Sequence, residues 1–383
     1  MVFDVIVVGL GAMGSGVVYQ LARRGFRVLG IDQFHPPHTY GSSHGYGRAI
    51  RLAYEQDSRY VQYVRRAYEA WQELECSTGS QLMINTGLLI MGEPEAPIIQ
   101  RGRQSADMHG IAYDLLDRRA IRDRWPALHM DDEMCGFYEP TGAVLRVEPC
   151  IETLLKAAKT GGALLRLNEP VQSWSVVGKE VHVRTNQADY VAARLVISAG
   201  AWCKELLPKL QLPLKVERQV QLWFQPDSDS ADWLSPQCFP YAAWQYDEDG
   251  HFYAFPDFGH GVKVAHHRGG QVTSPQTIQR DVDDQDVQSI RTLLKRYLPS
   301  VNGPLKSHAV CMYTNTPDLN FLIDEHPDFP EVLIVGGFSG HGFKFAPAIG
   351  ESVADLLSGQ QPDTALEMFK IQRLQDKKNR HDV

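Results

Sequence analysis

The sequence predicts an α/β protein built from two interleaved domains, and three observations support this fold class. Patterns of strand, glycine-rich loop and helix occur near both ends of the chain, at residues 3–34 and 332–357. A second apolar strand pattern ending in Ala-Gly lies at residues 194–202. The segment 215–267 is instead rich in strand-forming and aromatic residues. A nucleotide-binding domain formed by both ends and the middle of the chain is therefore expected to alternate with a β-rich domain.

The first strand-loop-helix unit carries a dinucleotide-binding fingerprint. The apolar run Val5–Val8 leads into Gly9, Gly11 and Gly14 in the spacing GxGxxG, and Asp32 ends the next strand, 18 residues after the third glycine. Glycines let the backbone approach a pyrophosphate, the helix N-terminus favours its negative charge, and the aspartate accepts hydrogen bonds from ribose hydroxyls. An adenine dinucleotide is the expected ligand, against the alternative of an ordinary βαβ unit with glycine-rich turns. Aspartate at this position disfavours a 2′-phosphate and therefore NADP.

Between these units the periodicity predicts further elements. Apolar and aromatic residues repeat with helical spacing in three segments, and the aromatic stripe of the first is expected to be core. A strand-like segment covers residues 82–91. The predicted helices are 57–75, 151–159 and 284–297.

Composition excludes several classes of protein. The 383 residues carry a formal net charge of −8, which argues against nucleic-acid binding. The six cysteines are scattered without metal-ligand spacing, so we expect no metal site and a reducing, cytoplasmic location. The N-terminus lacks a secretory leader pattern, and its uncharged segment 5–22 contains too many glycine and polar residues for a membrane span. We therefore expect neither a membrane nor a nucleic acid among the partners.

Two arginines mark a first candidate site. Arg48 and Arg51 are the only formally charged residues between Gln33 and Tyr54. If this segment is helical, their spacing of three places both guanidinium groups on one face, beside the nucleotide unit. A small carboxylate is a natural partner because arginine pairs with it in a planar, often bidentate way. The alternative is a pair of arginines that cap carbonyls or bridge domains.

Two further segments carry cations. The sequence GFSGHGFKF, residues 337–345, places three glycines, His341 and Lys344 immediately before a predicted helix. Such a loop favours negative charge, or is simply a tight connection from strand to helix. Lys263 and His267 are four residues apart in VKVAHH, so an extended strand would point both to the same side. The alternative for each is a solvated or structural role.

Taken together, these motifs resemble the monomeric sarcosine oxidase family, which includes N-methyltryptophan oxidase and pipecolate oxidase. The resemblance runs through nearly the whole chain, from the fingerprint through PPHTYGSSHG, RAIRLAY, FYAFPDFG, CMYTNTPD and GFSGHGFKF. It implies a glutathione-reductase-like FAD-binding Rossmann domain interleaved with a mixed α/β substrate domain. The expected FAD-binding segments are 1–85, 145–215 and 320–383, and the expected substrate-domain segments are 86–144 and 216–319.

The resemblance also implies roles for individual residues. Cys311, in the CMYT motif, would bond through sulfur to the 8α-methyl group of FAD. Arg51 and Lys344 would bind the substrate carboxylate, and Lys263 would assist the reaction of reduced flavin with oxygen. Arg48 and His44 would lie near the flavin. The remaining implied residues line the cofactor or substrate sites: Gly340, Gly342, Tyr253, His267 and Tyr313.

The expected activity is FAD-dependent oxidation of a secondary amino acid by molecular oxygen. The first expectation is demethylation of sarcosine or another N-methyl amino acid, which yields the amino acid, formaldehyde and hydrogen peroxide. Oxidation of a cyclic imino acid such as pipecolate or proline is the alternative. The substrate assignment is weakened by three departures from the pattern of the bacterial enzymes, namely Gly47, Leu52 and a shorter turn at 254–262. An NAD-dependent dehydrogenase and a non-catalytic flavin-binding subunit are alternatives of other classes. A monomer is expected.

Overall fold

The structure is a computed structural model that describes residues 2–54, 56–248, 250–361 and 366–374. The helices within these ranges are α1 (Ala12–Arg23), α2 (Tyr60–Thr78), α3 (Pro97–His109), α4 (Arg118–Arg124), α5 (Val147–Thr160), α6 (Cys203–Leu206), α7 (Asp284–Tyr297) and α8 (Ala346–Leu357). The strands are β1 (Val2–Val8), β2 (Val28–Ile31), β3 (Gly47–Ile50), β4 (Met83–Asn85), β5 (Leu88–Gly92), β6 (Asp114–Leu116), β7 (Cys135–Glu139), β8 (Ala143–Arg146), β9 (Leu164–Arg166), β10 (Val171–Val177), β11 (Glu180–Thr185), β12 (Asp189–Ile197), β13 (Lys215–Phe224), β14 (Tyr241–Gln245), β15 (His251–Phe255), β16 (Val262–His266), β17 (Val272–Thr273), β18 (Leu305–Asn315), β19 (Leu322–His326) and β20 (Phe329–Gly336).

One sheet has five parallel strands in the order β9, β2, β1, β12 and β20. Strands β10, β11 and β19 extend it by antiparallel pairing. Parallel strands end at the same edge of a sheet, so the residues that follow β1, β2, β12 and β20 meet there. Ligands of open α/β sheets bind at this carboxyl edge.

The predicted strand-loop-helix units are confirmed. Val5, Ile6 and Val7 of β1 are fully buried, as the continuous apolar run predicts for a strand covered on both faces. The predicted helix 284–297 coincides with α7, and the helices predicted at 57–75 and 151–159 correspond to α2 and α5. The strand expected at 194–202 ends earlier, at Ile197, because the chain turns into a short 3₁₀ helix at Gly200–Trp202.

A second, mixed sheet contains the long antiparallel pair β13 and β18, continued through β16, β15, β14, β5, β7 and β6. Its two faces alternate in residue type, as a pleated strand requires. Trp244, Phe252 and Val264 are buried on the face that packs against α7. The neighbouring positions Tyr241 and Tyr253 face a cavity instead. The predicted β-rich segment therefore forms one sheet with a core face and a site face.

A helix was considered for the segment that contains Arg48 and Arg51. This is wrong, because the segment is not helical. Arg48 lies in β3, which pairs antiparallel with β8 in a three-stranded sheet completed by β4, and Arg51 follows the strand. Residues 47–50 have no helical apolar repeat, and the distant strand β8 supplies the hydrogen bonds that make them extended. Nevertheless both arginines line the same cavity.

The segments that build the two large sheets alternate along the chain, but the exact domain boundaries stay a prediction. Among the described helices, none is long and apolar enough to cross a membrane. The described residues also contain no group of three or more His, Cys, Asp or Glu side chains arranged to hold a metal ion.

Candidate active site

A cavity of about 460 Å³ is lined by the carboxyl edge of the parallel sheet and by the site face of the mixed sheet. This volume lies within the range of small-molecule and cofactor sites. It brings together most of the residues singled out in the sequence. Those that line it are Gly9, Gly11, Asp32, Arg48, Arg51, Tyr253, His267, Cys311, Tyr313, Gly340, Gly342 and Lys344.

Three of the predicted residues do not line this cavity: Gly14, His44 and Lys263. His44 is only 2% exposed, and its Nε2 has no hydrogen-bond partner among the described residues. Burial, reinforced by the nearby charges of Arg48 and Lys263, lowers the pKa of His44 to about 3. The imidazole is therefore neutral at physiological pH, and the part of the chain that the structure describes leaves its Nε2 unsatisfied.

Asp32 is held at the dinucleotide end of the cavity. One carboxylate oxygen accepts a hydrogen bond from the Leu10 backbone N–H at 2.7 Å, and the other accepts from the Phe34 N–H at 2.8 Å. Burial raises the pKa of Asp32, and these backbone donors oppose that effect. Glu169 also lines this end, although the sequence reasoning missed it because no motif marks the residue. The carboxylate of Asp32 is thus oriented before any ribose arrives.

Gly14 acts through packing. A Cβ atom at Gly14 would lie 1.7 Å from the carbonyl oxygen of Gly9 and 2.7 Å from Ser198 Oγ. The third glycine of the fingerprint therefore allows α1 to dock on the strand edge, whereas the first two face the cavity.

We expect Gly14→Ala to destabilise the fold by about 3 kcal/mol, the upper part of the range for overpacked cores, because a backbone carbonyl cannot move aside. Gly11→Ala is the matched control, since its Cβ would meet only Ser43 Oγ at 3.5 Å, an ordinary contact. Circular dichroism during urea unfolding, together with flavin content, checks both variants. The Gly11 variant should retain its unfolding midpoint while binding less cofactor. Equal unfolding midpoints for the two variants would contradict the packing role of Gly14.

Cys311 lies on β18 with its side chain on the site face. It is 2% exposed and opposite Gln219 of β13. Tyr313, two residues later on the same face, lines the cavity with it. Burial raises the pKa of the Cys311 thiol, while the charges of Arg48 and Lys263 act in the opposite direction. Burial outweighs the two cations, so the pKa of the thiol stays above its usual value.

Lys263 is buried beside this wall. Its ammonium group donates to the carbonyl oxygens of Gly45 at 2.9 Å and Gly47 at 3.0 Å. Its Nζ also lies 4.8 Å from the ring centroid of Phe255. Burial and, secondarily, the charge of Arg48 lower the pKa of Lys263 well below its usual value. It borders a separate small cavity with Phe255 and Trp223.

Lys344 lines the large cavity together with Tyr54 and His341. Its ammonium group donates to the carbonyl oxygen of His341 at 2.8 Å, and Tyr54 Oη is 3.5 Å away. Burial and the neighbouring charge of Arg51 lower the pKa of Lys344 well below its usual value. Within the described residues, no carboxylate forms an ion pair with Lys344. This end of the cavity is therefore suited to a small anion.

Aromatic and imidazole groups complete this end. The Tyr313 hydroxyl lies 3.4 Å from His267 Nδ1, and burial raises the pKa of Tyr253 to about 12. Burial lowers the pKa of His267 well below its usual value, with Arg268 as the next cause. Gly340 adopts φ +78°, and a Cβ there would lie 2.4 Å from the Tyr313 ring. The loop at Gly340 thus brings its backbone against this wall of the cavity.

The cavity residues fit a flavin dinucleotide. One end has the fingerprint loop that contains Gly9 and Gly11, together with the oriented Asp32 carboxylate. Toward the other end, Thr314 Oγ1 lines the cavity, buried and without a hydrogen-bond partner among the described residues. An elongated ligand with polar edges would satisfy such atoms. The family model described as FAD dependent oxidoreductase matches residues 4–356.

The chain belongs to the FAD-dependent oxidoreductases. Within them it belongs to the monomeric sarcosine oxidase family, as the motifs indicated. It is 38% identical over 377 residues to a monomeric sarcosine oxidase of Bacillus sp. (strain NS-129), with 97% of each chain covered. It is 32% identical to the N-methyl-L-tryptophan oxidase of Salmonella newport (strain SL254), covering 97% of this chain and 99% of that protein. FAD is accordingly the cofactor of this oxidoreductase, and the NAD-dependent alternative is wrong.

Solved structures support the fold of this FAD-dependent oxidoreductase. An L-proline dehydrogenase from P. horikoshii superimposes with a TM-score of 0.86 at 22% identity, covering 98% of each chain. The interleaved α/β architecture expected from the sequence is thereby confirmed.

Proposed function

We propose that this flavoenzyme oxidises the C–N bond of an N-methyl amino acid, with sarcosine as the first candidate. The balanced reaction converts the N-methyl amino acid, oxygen and water into the demethylated amino acid, formaldehyde and hydrogen peroxide. One observation carries the proposal: Lys344 and Arg51 line the same buried end of the flavin cavity. A carboxylate bound there would hold the amine beside Tyr253 and His267. The sarcosine and N-methyltryptophan oxidases that the chain resembles support this substrate class.

The electrostatics of the cavity suit an amine in its neutral form. Arg48, Arg51 and Lys344 disfavour a second positive charge nearby, so a bound ammonium loses its proton more readily than it does in water. The neutral amine has the free lone pair that oxidation requires. When bound, the flavin supplies the acceptor for the two electrons that oxidation of the substrate C–N bond releases. The protein residues bind and orient the substrate and favour its neutral amine form.

A peroxide-coupled assay of a panel of secondary amino acids tests this function. The panel contains sarcosine, N-methylalanine, N-methyltryptophan, pipecolate and proline, with glycine as a primary-amine control. We expect peroxide and formaldehyde from the N-methyl compounds. Peroxide without formaldehyde from pipecolate or proline alone would favour the cyclic imino acid alternative. If no panel member yields peroxide or bleaches the flavin anaerobically, the hypotheses of an N-methyl amino acid oxidase and of a cyclic imino acid oxidase both fail. A non-catalytic flavin-binding subunit is then favoured.

We also propose that Cys311 attaches FAD covalently through its sulfur. The buried thiol lines the flavin cavity, and the nearby charges of Arg48 and Lys263 partly oppose the effect of burial, which raises its pKa. We expect acid-precipitated wild-type protein to stay yellow, whereas Cys311→Ala should release all its flavin into the supernatant. Cys203→Ala is the control, because this buried thiol does not line the cavity. Flavin that remains in the precipitated Cys311→Ala protein would contradict the attachment.

Oxygen is the proposed second substrate, and Lys263 is the proposed residue for its reduction. Its buried side chain lies close enough to Cys311 to influence the pKa of that thiol, and when protonated it would place a positive charge near the flavin site. We further propose a monomer of the cytoplasm. The names of the monomeric sarcosine oxidases support the first statement, and six free cysteines support the second.

A further inference from the structure

Tyr54 contacts both cations at the substrate end of the cavity. Its ring centroid lies 5.8 Å from Arg51 Cζ and 5.3 Å from Lys344 Nζ. The side chain is 1% exposed, yet it lines the cavity together with His341 and Lys344. The sequence motif GFSGHGFKF drew attention to His341, but the sequence gave neither His341 nor Tyr54 a role in holding Lys344. The structure brings both into contact with the lysine.

The hydrogen bonds around His341 have a defined direction. His341 Nε2 lies 2.9 Å from the carbonyl oxygen of Leu319, which can only accept, so this nitrogen carries the proton. Burial lowers the pKa of His341 well below its usual value, and the imidazole is therefore neutral. Nδ1 is then an acceptor, and the Tyr54 hydroxyl, 2.6 Å away, must donate to it. Burial also raises the pKa of Tyr54, so the phenol keeps its proton.

Because the Tyr54 hydroxyl donates its hydrogen to His341, the lone pairs of its oxygen can accept a hydrogen bond from Lys344. In its protonated form, which a bound carboxylate would stabilise, Lys344 has three N–H donors. One is directed to the His341 carbonyl oxygen at 2.8 Å, and a second faces Tyr54 Oη at 3.5 Å. The third is left for the cavity that Lys344 lines. Two anchors from different parts of the chain thus restrict an otherwise flexible side chain.

We infer that Tyr54 and His341 are positioning residues that direct the Lys344 ammonium group toward the substrate carboxylate. The inference rests on the proposed function, since that function supplies the carboxylate. His341 orients the Tyr54 hydroxyl, and Tyr54 orients the ammonium. Without the hydroxyl, Lys344 keeps its charge but loses one of its two anchors. Removing the hydroxyl is therefore expected to weaken the binding of a carboxylate and not to affect the flavin.

Binding of acetate to the holoenzyme tests the inference without requiring turnover. The dissociation constant is measured from the change in flavin absorbance during titration. Tyr54→Phe keeps the ring and should weaken acetate binding roughly tenfold, the effect of one hydrogen bond to a charged group. Tyr60→Phe is the matched control, because this buried tyrosine stacks on Tyr54 at 4.9 Å but its hydroxyl donates to Asn320 Oδ1. It should bind acetate as the wild type does.

Substitution of His341 provides an independent measurement if Tyr54→Phe does not fold. Asparagine can place its amide oxygen near the position of Nδ1 and accept from Tyr54, whereas leucine cannot. We expect His341→Asn to bind acetate nearly as the wild type does, and His341→Leu to bind it about as weakly as Tyr54→Phe. Wild-type affinity in Tyr54→Phe, or equal weakening in the Asn and Leu variants, would overturn the positioning role.

The same experiments separate this inference from the proposed function. With the preferred amino acid, Tyr54→Phe should raise KM more than it lowers kcat, and the carboxamide analogue should show no such change. If the wild type oxidises no member of the panel but Tyr54→Phe still weakens acetate binding, the proposed substrate fails and the positioning of Lys344 stands.

Discussion

Reduced Lys263→Met enzyme is expected to react with oxygen roughly 10²–10³-fold more slowly than the wild type, the effect of losing one preoriented electrostatic group. The reason is the placement of the charge. The Lys263 ammonium is buried and fixed by the carbonyl groups of Gly45 and Gly47, so it needs no reorganisation when negative charge develops on oxygen. Methionine has a similar length and apolar character and therefore removes mainly the charge.

Stopped-flow mixing of substrate-reduced enzyme with oxygenated buffer measures this rate, and anaerobic mixing with substrate measures reduction separately. Reduction should stay close to the wild-type rate, because Lys263 does not line the main cavity. Lys306→Met is the matched control, since this exposed lysine lies on β18, which pairs with β13 as does the strand β16 that carries Lys263. Unchanged reoxidation in Lys263→Met would remove the proposed role. Equal slowing of both half-reactions would indicate that the loop at Gly45–Gly47 had moved instead.

For Lys344→Met, kcat/KM for the preferred amino acid is expected to fall on the order of 10²-fold or more, because truncating one partner of a buried charge pair costs about 2–5 kcal/mol. The substitution removes the ammonium that, with Arg51, would bind the carboxylate. It leaves the backbone intact, including the carbonyl oxygen that accepts from Trp71 Nε1 at 2.8 Å. Steady-state kinetics and anaerobic flavin reduction measure the effect.

The carboxamide of the same substrate is the control for Lys344→Met. Because the amide carries no negative charge, the variant should oxidise it at least as well as the wild type does. Reoxidation by oxygen should also be unchanged, in contrast to Lys263→Met. An equal loss of activity on acid and amide would show that Lys344 supports the cavity rather than binding the carboxylate.

The two lysines show how far sequence reasoning extended at this site. Lys344 was expected beside a glycine loop and an anion, and the structure places it at a buried cavity end without a carboxylate partner among the described residues. Lys263 was expected to assist the reaction of reduced flavin with oxygen, and the carbonyl groups of Gly45 and Gly47 hold it beside a separate small cavity. The helical spacing considered for Arg48 and Arg51 was wrong, although both still reach the cavity. Residue type was thus predicted better than local geometry.

The sequence by itself determined the dinucleotide fingerprint, the main strand-loop-helix units and the family. Those features are encoded in contiguous residues: Gly9, Gly11, Gly14 and Asp32 act through backbone conformation and short spacing, and CMYTNTPD and GFSGHGFKF are unbroken motifs. Only the tertiary structure decided which side chains support one another. The hydrogen bond from Tyr54 to His341 joins residues 287 positions apart, and that from Lys263 to Gly45 joins residues 218 apart. Such contacts depend on how two sheets close around a cavity, and no local periodicity encodes that closure.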